Sequence, residues 1–331
     1  MSDFWRGNRV LVTGATGLVG SWLVKTLIEK RAYVVILMRD NDPQSELVKS
    51  GLLKFVTVVN GALEDYLSVE RAINEYEIDT VFHLGAQTIV GTALRSPLPT
   101  FETNIRGTYN LLEACRVHKS LVKRILIASS DKAYGSSPIL PYTEEMPLVG
   151  KHPYDVSKSC TDLLSYTYYH TYDLPVVIAR CGNIFGGGDL NWSRIIPGTI
   201  KNLYQGLSPE IRSDGQSTRD YIYVEDVVNA YLLLALAARR EDVQGQAFNF
   251  GPNRPHTVLE IVETLRKLMG RTDLLPNIQN HARAEIKDQT LSSAKAERIL
   301  GWKPTFDLES GLLATIKWYE NYLESYALSI L

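Results

Sequence analysis

The chain has 331 residues, of which 45% are apolar and 22% charged, and its net charge is −2. That length buries an ample core, and that balance excludes a collagen-like or disordered chain and gives no basic footprint for nucleic acid. Three cysteines, Cys115, Cys160 and Cys181, are too few and too scattered for a disulfide framework or a metal site, so they read as buried thiols and no metal is expected. No charged leader runs into an apolar stretch, and no apolar run is long enough for a bilayer, so the expected compartment is the cytosol without a membrane partner.

Arg9 to Thr13 is a short apolar run and predicts a buried strand. It enters a loop with Gly14, Gly17 and Gly20, followed by a predicted helix, SWLVKTLIEK. Strand, glycine loop and helix form the phosphate-binding unit of a doubly wound fold, because the glycines permit a tight turn and the helix start offers free N–H groups. The spacing here is GxxGxxG. A second strand, Tyr33 to Met38, ends at Arg39 and Asp40. At that place an Arg accommodates the 2′-phosphate of NADP and an acid binds the 2′-OH of NAD. Arg39 tilts the expectation toward NADP, and Asp40 keeps NAD open.

Phe55 to Val59 predicts a third strand, with Asp65 capping the helix after it. Thr80 to Leu84 predicts a fourth, ending in Gly85, Ala86 and Gln87. Small Gly85 and Ala86 would let the backbone approach a cofactor, and Gln87 could reach the substrate side. His83 within the strand reads as a core residue. A helix predicted from Pro99 to His118 carries Asn104, read either as an amide that holds a water or fixes active-site backbone, or as a plain structural amide.

The next strand, ILIAS, ends in Ser129, Ser130, Asp131 and Lys132. A polar loop leads to a helix over Tyr154 to Tyr172 that carries Tyr154 and Lys158, four apart and on one face. A nearby ammonium favours a phenolate, so this pair can act as a general base. Cys160, close to Lys158, is open to a redox reading. Pro175 to Ala179 predicts another strand, followed by Arg180 and Asn183. Beyond Gly186 the composition turns glycine-rich and polar. Arg194 and Arg219 are candidate diphosphate clamps, since a guanidinium fork suits phosphate oxygens. VVNAYLLLALAARR predicts a long helix, Ala247 to Phe250 a last buried strand, HTVLEIVETLRKLMG a helix capped by Thr257, and Glu285 to Thr290 a short strand before two closing helices.

TGATGLVG, HLGAQ, TNIRGT, ILIAS, YDVSK and RCGNIFG occur in one order along residues 13–186, with STRDYIYVEDV, FNFG and LGWKP later. This series resembles the extended short-chain dehydrogenase/reductase family of nucleotide-sugar enzymes over nearly the whole chain. The resemblance implies an α/β fold with a Rossmann-type doubly wound parallel sheet and a smaller interleaved C-terminal lobe. Residues 1–183, with 222–250 returning, would bind the dinucleotide. Residues 184–221 and 251–331 would bind the substrate, a nucleotide-diphosphate sugar. The cofactor, NADP or NAD, would be tightly held by Gly14, Thr16, Gly17, Leu18, Val19, Gly20, Arg39, Asp40, Leu63, Leu84, Gly85, Ala86, Asn104, Tyr154 and Lys158. Gln87, Ser130, Asn183, Arg194 and Arg219 would face the sugar nucleotide.

Ser130-Asp131-Lys132, together with GGGDLNWSRIIPG, is similar to the CDP-glucose 4,6-dehydratase branch. The implied reaction takes a hydride from sugar C4, eliminates water across C5 and C6, and returns the hydride to C6. Tyr154, Lys158 and Ser130 would serve the first step. Asp131 would be the acid for the departing hydroxyl, and Lys132 either the base at C5 or a tuner of Asp131. A homodimer through the helices after Pro99 and from Tyr154, or a higher homo-oligomer, is also implied. The alternatives are a C4 epimerase, which needs no acid for a leaving hydroxyl, and a dinucleotide-binding sensor without turnover.

Overall fold

The protein is described by a computed structural model covering residues 4–281 and 286–328. In chain order the strands are β1 (Arg9–Thr13), β2 (Tyr33–Met38), β3 (Thr57–Asn60), β4 (Thr80–His83), β5 (Arg124–Ser130), β6 (Val176–Cys181), β7 (Asn183–Phe185), β8 (Glu210–Ile211), β9 (Thr218–Tyr223), β10 (Ala247–Phe250), β11 (Pro255–Thr257), β12 (Asn277–Ile278) and β13 (Asp288–Gln289). Seven of them form one parallel sheet in the order β10-β6-β5-β4-β1-β2-β3. Its strands are near-continuous apolar runs because both faces are covered. In β1, Val10 and Val12 face one apolar layer with helices Leu18–Glu29 and Val224–Ala237, while Leu11 faces the other, with helices Tyr66–Glu75 and Gly107–Val117. The fold is thus the expected doubly wound α/β arrangement.

The chain order reverses between β1 and β4, whose C-terminal ends lie side by side at Thr13 and His83. In such sheets ligands bind at that switch point. A smaller sheet, β11-β9-β13 with β7 on β9, abuts the C-terminal ends of β5 and β6. The apolar helix Val224–Ala237 is buried on most of its surface, which explains its composition, and among the described residues no helix is long and apolar enough to cross a membrane.

Several boundaries differ from the sequence reading. β3 starts at Thr57, because Leu52–Phe55 closes a 3-10 turn that follows Gly51 at φ +70° and leaves Phe55 exposed. The helix expected from Pro99 begins at Pro97 and passes through a π-helical turn, Glu102–Arg106, before continuing over Gly107–Val117. Arg180 lies inside β6 and not after it. Of the strand expected over 285–290 only Asp288–Gln289 forms, and Glu285 lies outside the described residues. Helix Ile195–Tyr204 and strand β7 carried no strong local signal. Asp65 and Thr257 cap their helices as expected, Thr257 within a capping box with Glu260.

Candidate active site

The glycine loop is shaped by close approach. Gly14 sits at φ +69°, and a Cβ there would lie 2.7 Å from the Gly85 nitrogen. A Cβ on Gly20 would lie 2.0 Å from the Gly14 carbonyl oxygen, so only glycine lets helix Leu18–Glu29 start against its own loop. Gly17 is the N-cap residue and supplies no capping side chain, and the first turn holds no acid. The N–H groups of this helix start are therefore open to an anion, with the positive end of the dipole behind them and no carboxylate to repel a phosphate. These residues fit a pyrophosphate. Packing alone requires Gly85 to be small: a Cβ there would meet Leu63 Cδ1 at 2.7 Å and Thr13 Oγ1 at 3.1 Å.

His83 links the two strand ends to the helix behind them. Thr13 Oγ1 accepts from the Gly85 N–H at 3.0 Å and lies 2.9 Å from His83 Nδ1. Thr108 Oγ1 donates to the Asn104 carbonyl at 2.6 Å and lies 3.1 Å from His83 Nε2. Thr108 has spent its proton, so it accepts from Nε2–H, and Nδ1 in turn accepts from the Thr13 hydroxyl. His83 is a neutral core residue, its pKa pushed down to about 3 by burial and then by the charge of Lys158. Asn104, in the π turn, fixes backbone: Oδ1 accepts from the Gln87 N–H at 2.7 Å, and Nδ2 donates to the Gln87 carbonyl at 3.0 Å and to Ser157 Oγ at 2.9 Å. Ser157 Oγ donates to the Tyr154 carbonyl at 2.7 Å. One buried amide thereby ties the loop after β4 to the first turn of the helix Pro153–Tyr172.

Tyr154 and Lys158 are both buried on that helix. Lys158 Nζ donates to the Ala128 carbonyl at 2.8 Å, and burial lowers its pKa to about 8, with Asp162 pulling the other way. The phenol of Tyr154 behaves differently from the sequence expectation. Burial pushes it up to about 12, and the cation acting most on it is Arg194, not Lys158. Ser130 interacts with the phenol as well and favours its ionised form. Ser130 Oγ donates to Asp131 Oδ1 at 3.0 Å and accepts from the Lys132 N–H at 3.2 Å, closing the 3-10 turn Asp131–Tyr134. Asp131 is almost fully buried. After burial itself, its charge adds to the upward shifts of Tyr154, Asp155, Cys181 and Asp220.

Behind this turn lies a network that the sequence reading missed. Asp162 accepts from Ser129 Oγ and from Arg180 Nε at 2.8 Å, and Arg180 Nη1 donates to Tyr134 Oη at 2.7 Å. The regular spacing of Tyr154, Lys158 and Asp162 was its one local signal. Asp220, also missed, is buried with its pKa raised to about 6, chiefly by burial; its Oδ2 accepts from the Leu291 N–H at 2.6 Å, and its Oδ1 has no hydrogen-bond partner.

On the substrate side, Arg194 Nη1 donates to Asp189 Oδ2 at 2.9 Å, and Tyr319 Oη donates to the Asp189 carbonyl at 2.5 Å. Arg194, whose charge acts on Tyr154, is thus held on a loop braced by helix Leu308–Leu328. Arg219 is engaged elsewhere: its Nη1 donates to the Thr218 and Lys287 carbonyls, each at 2.7 Å, and its Nη2 to the Ile286 carbonyl. Lys132 Nζ donates to Gln289 Oε1 on β13. Asn183 opens β7, paired with Tyr221. Cys115 and Cys181 are buried, whereas Cys160 is half-buried and burial raises its thiol, which runs against a reactive role. Arg39 and Asp40 are exposed beyond β2, and Arg39 Nε donates to Asp40 Oδ2 at 2.6 Å.

A parallel sheet with an anion-ready glycine loop at its switch point, together with a Ser-Tyr-Lys set whose Tyr154 and Lys158 are buried, defines a dinucleotide-dependent short-chain dehydrogenase/reductase. Residues 11–315 match the sequence model of the family described as GDP-mannose 4,6 dehydratase. The CDP-glucose 4,6-dehydratase of Salmonella typhimurium is 30% identical, over 97% of this chain and 93% of that one. Among solved structures, DesIV, a dTDP-glucose 4,6-dehydratase of Streptomyces venezuelae with NAD bound, superposes with a TM-score of 0.85 at 26% identity, covering 95% of this chain and 97% of that one. The UDP-glucose 4-epimerase of Thermotoga maritima, solved with UDP-glucose, gives a TM-score of 0.87 at 29% identity over 95% and 99%. The chain belongs to the GDP-mannose 4,6-dehydratase family, within the extended short-chain dehydrogenase/reductases. The tilt toward NADP finds no support: the DesIV neighbour carries NAD, and Arg39 pairs with the adjacent acid.

Proposed function

We propose that this enzyme is a nucleotide-sugar 4,6-dehydratase, converting an NDP-hexose to the NDP-4-keto-6-deoxyhexose with loss of water and with NAD held through the cycle. One observation carries the reading: a buried carboxyl, Asp131, follows directly on the Ser130 hydroxyl that acts on the Tyr154 phenol. Epimerisation at C4 needs no group for a departing hydroxyl, whereas elimination across C5 and C6 does.

The nicotinamide supplies a hydride acceptor that returns what it takes. The chain's own residues handle protons and position. Tyr154 takes the proton of the sugar 4-OH, helped by Arg194 and Ser130, which both favour the phenolate. Lys158, anchored on the Ala128 carbonyl, would hold the nicotinamide ribose with its charge. Asp131 gives a proton to the leaving 6-OH, and Lys132 is the base at C5 or tunes Asp131. Gln87, Asn183 and Arg194 face the sugar diphosphate. Arg219 joins them only if its guanidinium leaves the carbonyls it now serves, so we assign it first to holding residues 286–287. Residues 184–221 and 251–331 form the substrate-binding part.

The second reading, a C4 epimerase, draws on the match to the Thermotoga maritima enzyme. Incubation with CDP-, GDP-, UDP- and dTDP-hexoses, read by mass spectrometry, separates the two. Loss of one water from one sugar supports the dehydratase, and an isobaric product of changed configuration replaces it with the epimerase. We further propose a homodimer through helices Pro97–Phe101 and Pro153–Tyr172, whose exposed Leu98, Leu163 and Tyr166 offer apolar surface. A monomeric mass by light scattering would refute it.

A further inference from the structure

We infer that Gln289 is a positioning residue for Lys132, aiming its ammonium into the site from the smaller sheet. The inference rests on the proposed function insofar as that reading gives Lys132 work to do in turnover. Gln289 is fully buried, and its Oε1 accepts from Lys132 Nζ across 157 positions of sequence. Its Nε2 is buried as well, and the amide acts on the Tyr142 phenol, whose ionised form it favours. A buried amide is an expensive way to fill a core where an apolar side chain of the same shape would do, unless its polar atoms serve a neighbour. The orientation is dictated chemically, because the flipped amide would set two donors against each other.

The backbone bearing Gln289 is braced from both sides. The Thr218 N–H donates to the Lys287 carbonyl at 3.1 Å, and Thr218 Oγ1 donates to Asp288 Oδ1 at 2.7 Å. The Tyr142 N–H donates to the Thr290 carbonyl at 2.8 Å, the Ser292 N–H to the Tyr142 carbonyl at 2.9 Å, and Asp220 takes the Leu291 N–H. Arg219 adds its bonds to the carbonyls of Ile286 and Lys287. A two-residue strand held this firmly is a platform. Lys132, by contrast, sits on a single 3-10 turn at the end of a flexible four-carbon stem. An acceptor oxygen at this place selects one direction for that stem.

The test is a mutant cycle in the full-length enzyme loaded with NAD, using the sugar nucleotide that the wild type turns over. Gln289→Met keeps the volume and removes the acceptor. It should lower kcat by about 10–100-fold, with KM and NAD content nearly unchanged. Gln289→Glu keeps an acceptor and should recover most of that loss, which a merely structural defect would not. Lys132→Met should lower kcat further, and adding Gln289→Met to it should cost nothing more. Multiplying losses, a Gln289→Glu variant as slow as Gln289→Met, or a Lys132→Met enzyme as fast as wild type would each overturn the inference. The wild-type product decides separately between dehydratase and epimerase, and the cycle is read on whichever turnover occurs.

Discussion

The two sides of the active site are held in place by different means. On the dinucleotide side, Gly14, Gly20, His83, Asn104 and Lys158 are fixed by contacts with strand ends and helix starts of the large sheet. On the substrate side, Arg194 depends on Asp189 and Tyr319, and Lys132 depends on Gln289. The first set is locked by the packing that makes the fold. The second is assembled from short segments that have little structure of their own. On the reading proposed above, the hydride step is thereby built on the part of the molecule hardest to change, and elimination and substrate choice on the part easiest to change.

The largest test of this division is Tyr154→Phe. It should lower kcat by about 10²–10⁴-fold while NAD stays bound; near-normal turnover would remove Tyr154 from the chemistry. Next is Asp131→Asn, expected to slow water loss by about 10²–10³-fold yet leave hydride abstraction at C4. Reduced nicotinamide should then accumulate in a single turnover, visible by absorbance. If no reduced cofactor builds up, the two sides do not divide the reaction as described.

A smaller effect follows from the two protonation states near the switch point. Lys158, with its pKa near 8, should lose its charge above that pH, so kcat/KM should fall roughly tenfold per pH unit beyond it. A flat profile to high pH would show that Lys158 need not be charged. His83 bears on stability instead. Its folded pKa of about 3 lies below the unfolded value of about 6.5, so the unfolded chain binds the extra proton between them. The neutral His83 contribution is complete above about pH 6.5 and is lost as pH falls toward 3, at up to about 1.4 kcal/mol per unit. Urea titrations should show this slope, and His83→Gln should flatten it. Least affected should be Arg39→Ala, since an exposed pair contributes about 0–1 kcal/mol; NAD affinity measured by calorimetry should change less than about fivefold.

The dinucleotide side was legible in the sequence because its signals are local. An apolar strand, three spaced glycines and a Tyr-Lys pair four apart each lie within a dozen residues. The physical detail was less so. The spacing of Tyr154 and Lys158 put them on one face but could not reveal that Lys158 turns to Ala128 or that the charge of Arg194 acts on the phenol. Asn104 was read as either functional or structural, and its π turn, which aims it at Gln87 and Ser157, has no signature in composition. Arg219 looked like a free guanidinium because its partners are backbone carbonyls 67 and 68 positions away. Gln289 gave no sign at all: a two-residue strand has no periodicity, and Lys132, which its side chain receives, is remote.

The position of β10 has a consequence for how the chain is made. β6, an almost wholly apolar strand, stays an open edge of the large sheet until β10 is synthesised and pairs with it. The 66 positions from Cys181 to Ala247 take roughly 3–13 s at ribosomal rates. During that interval an apolar strand offers unpaired backbone to any neighbour, a known route to misassembly. Ribosome-stalled chains ending before residue 247 should therefore recruit chaperones more than chains with residues 247–250 clear of the tunnel, and equal recruitment would show that helix Val224–Ala237 already shields the edge.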